Sequence, residues 1–125
     1  MKAIIAVNNL GFIGLNDKLL WYNREDLSHF KRMTKGSTLL VGYRTANSLP
    51  TLSDRKLIVV DKHDISTEHY LNAEWCIGGK NTYEYFCDIF TELHISHINN
   101  NDIGNVTFPD LTKLNPNCVI FNYFF

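Results

Sequence analysis

With 125 residues, 45% of them hydrophobic and 20% charged, the chain has material for one buried core but not for two. A formal net charge of -1 supplies no positive field to gather nucleic acid or anionic lipid, so neither is expected as a partner. The three cysteines, Cys76, Cys87 and Cys118, are odd in number, lack CxxC spacing and sit among apolar neighbours. They read as buried free thiols of a reducing compartment, and a cytoplasmic location is expected.

In chain order, KAIIAV is an apolar run that Asn8 and Asn9 interrupt, too short for a signal peptide or a membrane span; it reads as a first strand. The next element is the helix REDLSHFKRMT, Arg24 to Thr34. Leu27, Phe30 and Met33 keep helical spacing on one face, while Arg24, Glu25, Ser28, His29, Lys31 and Arg32 take the other. Further strands are expected at STLLVG, RKLIVV, EWCIGG, ELHISHI and NCVIFNYFF. Further helices are expected from Thr45 toward Ser48, within Ser66 to Asn72 and from Thr82 to Ile89. Short runs apolar on both faces suit parallel strands covered by helices. The expectation is one α/β domain over 1–125, with a mostly parallel central sheet of six strands.

Asp26 shares the apolar side of its helix, four residues before Phe30 and seven before Met33. Desolvation there would raise its pKa and a cationic ligand would lower it, which suits proton handling. Asn23 can cap the same helix, and a carboxylate at the third helical position also complements the cap and the dipole. Both roles stay open from these residues alone.

Two glycine-bearing junctions follow strands: LLVGYRTANS, with Gly42 ahead of Arg44 and Thr45, and CIGGKNTYEYF, with Gly78 and Gly79 ahead of Lys80, Asn81 and Thr82. Free backbone N–H groups beside residues without side chains suit phosphate, although neither junction is a GxGxxG or P-loop sequence. Together they suggest a ligand with several phosphates lying across two loops. His94 and His97, three apart on a strand, point to opposite faces and make a poor metal pair. His29, His63 and His69 fall in exposed-looking contexts, and no nucleophile elbow accompanies any of them.

The ordered set IIAVNNLGFIG, WYNREDLSHFKRMT, LLVGYRT, LSDRKLIVV, CIGGKNTYEYF and LHISHI followed by FPD resembles dihydrofolate reductase, from the N-terminus to Asp110. The resemblance implies reduction of 7,8-dihydrofolate with NADPH, a hydride passing to the pterin while a proton reaches the neighbouring nitrogen. By that resemblance Asp26 holds the pterin's amino group and ring nitrogen, Trp21 is linked to it through water, and Ser96 supports the carboxylate. Leu27, Phe30, Leu49 and Leu52 correspond to the apolar walls, Ile5 and Ile77 to the pterin's edge, and Arg55 to the grip on the glutamate tail, a bidentate task that suits guanidinium. Val7, Ile13, Gly14 and Tyr83 correspond to positions near the nicotinamide, with Ala6 and Leu19 also in the cofactor set. Gly42, Arg44, Thr45, Gly78, Gly79, Lys80, Asn81 and Thr82 surround the phosphates. A mobile loop is implied across Asn9 to Leu20.

The chain departs from that family in definite places. Only Asp61 to Trp75 separate LIVV from CIGG, which shortens the region that helps hold the adenosine end. Tyr43 and Asn81 stand where basic residues are common, leaving the cofactor's extra phosphate to Arg44, aided by Lys62 or Lys80. Leu20 replaces a usual proline before Trp21, and Asn105 an aspartate that commonly braces the loop. After FPD one strand is expected where the family ends in two, and the open edge suggests a homodimer. Two other functions fit the same outline: a folate- or nucleotide-binding protein with little turnover, and a riboflavin-pathway pyrimidine reductase, against which Trp21, Asp26 and Phe30 weigh.

Overall fold

The computed structural model describes residues 1–15, 19–50, 52–60 and 70–125. Six strands form one sheet: β1 (Lys2–Asn8), β3 (Thr38–Gly42), β4 (Lys56–Val60), β5 (Trp75–Cys76), β6 (Glu92–Ile98) and β8 (Val119–Phe124), in the order β4-β3-β5-β1-β6-β8. Every pairing in this sheet is parallel, and the six strands fall on the six apolar runs of the sequence. Ala3, Ile4, Ile5, Leu39, Leu40 and Val41 are buried on successive positions of β1 and β3. Such continuous burial is what a parallel strand covered on both faces requires.

Helices α1 (Arg24–Thr34), α2 (Tyr43–Ser48) and α3 (Lys80–Phe86) follow β2 (Phe12–Gly14), β3 and β5, and α3 runs on into a 3-10 turn at Cys87–Ile89. Both short helices begin two residues earlier than periodicity indicates, directly after Gly42, which ends β3, and Gly79, which follows β5. The expected helix within 66–72 lies mostly outside the described residues; Tyr70 to Asn72 form a turn. Lys62, His63 and His69 also lie outside them. A two-stranded antiparallel ribbon, β2 (Phe12–Gly14) with β7 (Val106–Thr107), has no counterpart in the sequence reading. Two or three residues carry too little alternation to signal a strand.

The two sides of the sheet hold separate apolar clusters. Ala3, Ile5, Leu40, Cys76 and Leu93 pack with Tyr83 and Phe86 of α3 and with Phe90, whereas Ile4, Leu39 and Trp75 pack with Phe30 and Met33 of α1, Leu52 and Ile77. Alternation along β1 puts Ile4 and Ile5 into opposite clusters.

Two expectations about α1 are corrected. Its buried residues are Asp26, His29 and Thr34, with Phe30 and Met33 half-buried, while Leu27 is 37% exposed. The inward stripe is therefore rotated by one position. The cause is long-range: the ring of His29 lies 4.2 Å from Tyr123 and 5.5 Å from Phe125, aromatics on the last strand that helical spacing cannot report. Burial, then the nearby Arg32 and His94, hold the His29 imidazole below its usual pKa. His94 is also buried, with Nδ1 2.9 Å from the Tyr123 hydroxyl and Nε2 2.9 Å from Glu92. Cys118 is half-exposed, unlike the buried Cys76 and Cys87, and all three are free thiols.

β8 ends the sheet, and among the described residues nothing pairs with its outer side. It exposes Val119, Ile120, Phe121 and Phe124, the last by 77%. Among the described residues no helix is long and apolar enough to cross a membrane.

Candidate active site

Asn23 begins the site. Its side-chain oxygen accepts the Asp26 N–H at 2.9 Å and its carbonyl accepts the Leu27 N–H at 3.0 Å, so the side-chain cap of α1 is Asn23 and not Asp26. Asp26 stands at the third helical position with its backbone serving the cap. Its residue is only 8% exposed, and its side chain reaches toward β6. Burial pushes the Asp26 carboxyl above its usual 3.8, and the Ser96 hydroxyl partly offsets this by favouring the charged form. Among the described residues no lysine or arginine contributes to that balance.

Ser96 Oγ and Trp21 Nε1 are buried and have no well-formed hydrogen bond among the described residues. Buried polar atoms without a well-formed hydrogen bond are uncommon in folded chains, and of these two Ser96 Oγ lies beside the Asp26 carboxyl. Tyr83 closes the opposite side. Its hydroxyl donates to the Ile4 carbonyl, and its pKa is raised by burial first, then by Cys76 and by the charge of Asp26. Asp26 from α1 and Tyr83 from α3 are thus electrostatic neighbours although they belong to opposite faces of the sheet.

Phe30, Leu52 and Ile77 share one apolar cluster. Leu49 is half-buried, Leu27 is exposed, and Ile5 belongs to the other cluster with Tyr83. Arg55 lies beside this wall: its guanidinium carbon is 5.9 Å from the Phe30 ring centroid, Nη1 donates to Thr34 Oγ1 at 3.3 Å and Nε donates to the Ser53 carbonyl at 3.1 Å. Asp54, 3.6 Å away, balances its charge. The arginine is held in place by these contacts.

The two glycine junctions meet. The Gly42 N–H donates to the Gly78 carbonyl at 2.7 Å, joining the ends of β3 and β5. A Cβ on Gly42 would stand 2.6 Å from Thr82 Oγ1, and one on Gly79 would stand 2.9 Å from Thr45 Oγ1. Gly78 has φ +113°, a backbone conformation that side-chain-bearing residues rarely adopt. Each threonine hydroxyl thus sits directly against a glycine of the other junction, and the two junctions pack together where a side chain on either glycine would not fit. Arg44 and Asn81 are exposed nearby in sequence, whereas Lys80 Nζ is bonded to Thr107 Oγ1 at 2.6 Å. Thr107, which the sequence reading overlooks, lies 27 positions from Lys80, so no local signal joins the pair.

Val7 and Gly14 are buried, Ala6 and Ile13 half-buried, and Leu19 is 56% exposed. Ile13 packs against the α3-side cluster that includes Tyr83 and Ile5. Among the described residues no group of three or more His, Cys, Asp or Glu side chains could hold a metal.

Comparison with known proteins bears on this geometry. The family model described as Dihydrofolate reductase matches residues 1–119. The chain is 30% identical over 126 residues to dihydrofolate reductase of Buchnera aphidicola subsp. Schizaphis graminum, covering 87% of this chain and 78% of that one. It is 29% identical over 123 residues to dihydrofolate reductase type 9 of Escherichia coli, covering 78% and 70%. Among solved structures, dihydrofolate reductase from Enterococcus faecalis, complexed with NADP(H) and RAB-propyl, superposes with a TM-score of 0.77 at 24% identity, covering 89% of this chain and 77% of that one. That likeness carries the fold.

Proposed function

Because the chain belongs to the dihydrofolate reductase family of oxidoreductases, we propose that it catalyses NADPH-dependent reduction of 7,8-dihydrofolate to 5,6,7,8-tetrahydrofolate, the carrier of one-carbon units for thymidylate and purine synthesis. The observation that carries the reading is Asp26: a buried carboxyl facing Ser96, with no lysine or arginine among the described residues acting on it, one helical turn before Phe30. Such a group is complete when a ligand supplies the positive partner, and a protonated pterin does so. The carboxylate then accepts from the pterin's amino group and ring nitrogen, which favours protonation where the hydride arrives.

Phe30, Leu52 and Ile77 exclude water beside the ring, and Arg55, bonded to Thr34 and Ser53 and paired with Asp54, would turn its guanidinium to a carboxylate tail by leaving Asp54. Gly42, Gly78, Gly79, Thr45 and Thr82 would form a cradle for the cofactor's phosphates, since the packing of the two junctions brings both threonine hydroxyls beside the glycines. When bound, NADPH supplies the hydride. Arg44 is the residue to meet its extra phosphate, with Lys80 available once it leaves Thr107. The whole of 1–125 works as one domain in this reading, and its free thiols suit the cytoplasm.

The test follows loss of NADPH absorbance with dihydrofolate, with NADH in parallel. Steady consumption with NADPH, dependent on both substrates, is expected. Binding of both ligands without consumption would favour a binding protein of the same fold.

The reading also includes a homodimer that covers the outer edge of β8, where four apolar side chains are exposed on a strand without charge or proline. Sedimentation is expected to show dimer growing with concentration; monomer alone at high concentration would remove the proposal.

A further inference from the structure

Asn8, at the carboxyl end of β1, is 5% exposed, and its carboxamide is fully used. Oδ1 accepts the N–H of Leu10 at 3.1 Å and of Phe12 at 2.9 Å; Nδ2 donates to the Asp102 carbonyl at 2.7 Å and to Asn100 Oδ1 at 3.3 Å. One side chain therefore joins three segments: the end of β1, residues 10–12 that lead into β2, and the stretch after β6. Asn9 repeats the tie on the outside, its Nδ2 donating to Asn99 Oδ1 at 2.9 Å and Asn101 Oδ1 at 3.0 Å, and its backbone N–H to the Asn100 carbonyl at 3.1 Å.

What this tie holds is β2. Phe12 and Gly14 pair with β7, the Phe108 N–H donates to the Gly11 carbonyl at 2.9 Å, and the Asn105 N–H donates to the Gly14 carbonyl at 3.1 Å. A Cβ on Gly104 would run into that same Gly14 carbonyl, so the approach is close along the whole ribbon. Asn8 meets this segment at its root. Only a carboxamide of this length presents two acceptor and two donor positions there: aspartate keeps the acceptors and loses the donors, and leucine keeps neither.

Resting on the reading of Ile13 and Gly14 as nicotinamide-side residues, we propose that Asn8 is a positioning residue for the reduction, its carboxamide clamping residues 10–12 to residues 100–102 and so setting where β2 presents Ile13 and Gly14. The clamp acts before any ligand binds, because all its partners are protein groups.

Two variants test it. Asn8→Asp at neutral pH keeps the acceptors for Leu10 and Phe12 but sets an oxygen against the Asp102 carbonyl; Asn8→Leu removes all four bonds in a side chain suited to burial. In the ligand-free protein, amides of residues 10–14 are expected to exchange about tenfold faster or more, as loss of a buried hydrogen bond implies, while those of Ile4 and Leu40 stay protected. In turnover, kcat is expected to fall by about tenfold or more with little change in the KM for dihydrofolate. The isotope effect on kcat with deuterated NADPH is expected to rise, because hydride transfer slows relative to later steps. Unchanged exchange at 10–14 in both variants would overturn the clamp. Faster exchange with unaltered kcat and isotope effect would overturn the positioning role. If the parent chain fails to reduce dihydrofolate, the function proposal falls by itself, and the exchange measurement still decides the clamp.

Discussion

Asp26→Asn is expected to cut turnover with dihydrofolate at pH 7 by roughly a hundredfold or more, within the range that acid–base groups contribute. The amide keeps the size of the carboxyl and leaves the Asn23 cap intact, since the cap uses only the Asp26 backbone N–H. What it loses is the charge that draws a protonated pterin. Activity should recover in part at low pH, where the substrate arrives already protonated, so the variant's profile falls as pH rises while the parent's holds to higher pH.

The same substitution is expected to stabilise the ligand-free protein. The Asp26 carboxyl is raised above its ordinary 3.8 by burial, so between that value and its folded-state pKa the native chain binds more protons than the unfolded one. Its contribution to stability is fully present below the unfolded pKa and is lost as pH rises through the folded pKa. Asparagine carries no such penalty at neutral pH. The variant's melting temperature should therefore exceed the parent's, on the order of a few degrees, and the difference should vanish in acid. Lost activity with increased stability separates a functional carboxylate from a damaged fold; a variant that retains parental activity at pH 7 would remove Asp26 from the mechanism.

Gly42→Ala carries the second large effect. The added Cβ would stand 2.6 Å from Thr82 Oγ1 and 3.4 Å from the Gly79 nitrogen, in a junction where the Gly42 N–H also binds the Gly78 carbonyl. Thr82 is β-branched and 8% exposed, so it has little room to yield. Overpacking of this kind costs about 1–3 kcal/mol, which appears as roughly a ten- to hundredfold rise in the KM for NADPH if the loops part to relieve it. The KM for dihydrofolate should change far less, since in the proposed reading the pterin is held by Asp26 of α1 and not by this junction. Adding Thr82→Ser to Gly42→Ala keeps the hydroxyl but removes the β-branch, so the side chain can turn away from the new methyl and should restore part of the cofactor affinity. An unchanged KM for NADPH in Gly42→Ala would show that the cradle does not bind the cofactor.

Much of the fold is legible in the sequence because parallel strands buried on both faces leave an unambiguous mark. KAIIAV, STLLVG and ELHISHI become β1, β3 and β6, and the helix Arg24–Thr34 keeps its expected bounds. The glycine junctions were visible as strand ends, although only the tertiary structure brings Gly42 to Gly78. What could not be read is whatever depends on distant residues. His29 looks like a surface residue until Tyr123 and Phe125 arrive beside it, and Leu27 looks like core until the stripe turns past it. Asn8 reads as a break in an apolar run because its partners at Asn100 and Asp102 are more than ninety positions away. Lys80 reads as a free cation until Thr107 accepts it. Polar side chains give no periodic signal, so their pairing emerges only once the chain has folded.

The most direct measurement mixes the purified protein with dihydrofolate and NADPH carrying deuterium at the transferring position, then weighs the folate product. Tetrahydrofolate carrying one deuterium for each NADPH oxidised is the expected result, with Asp26→Asn forming it far more slowly at pH 7. Both ligands bound at equilibrium, with no label passing into the folate over many hours, would contradict the assignment.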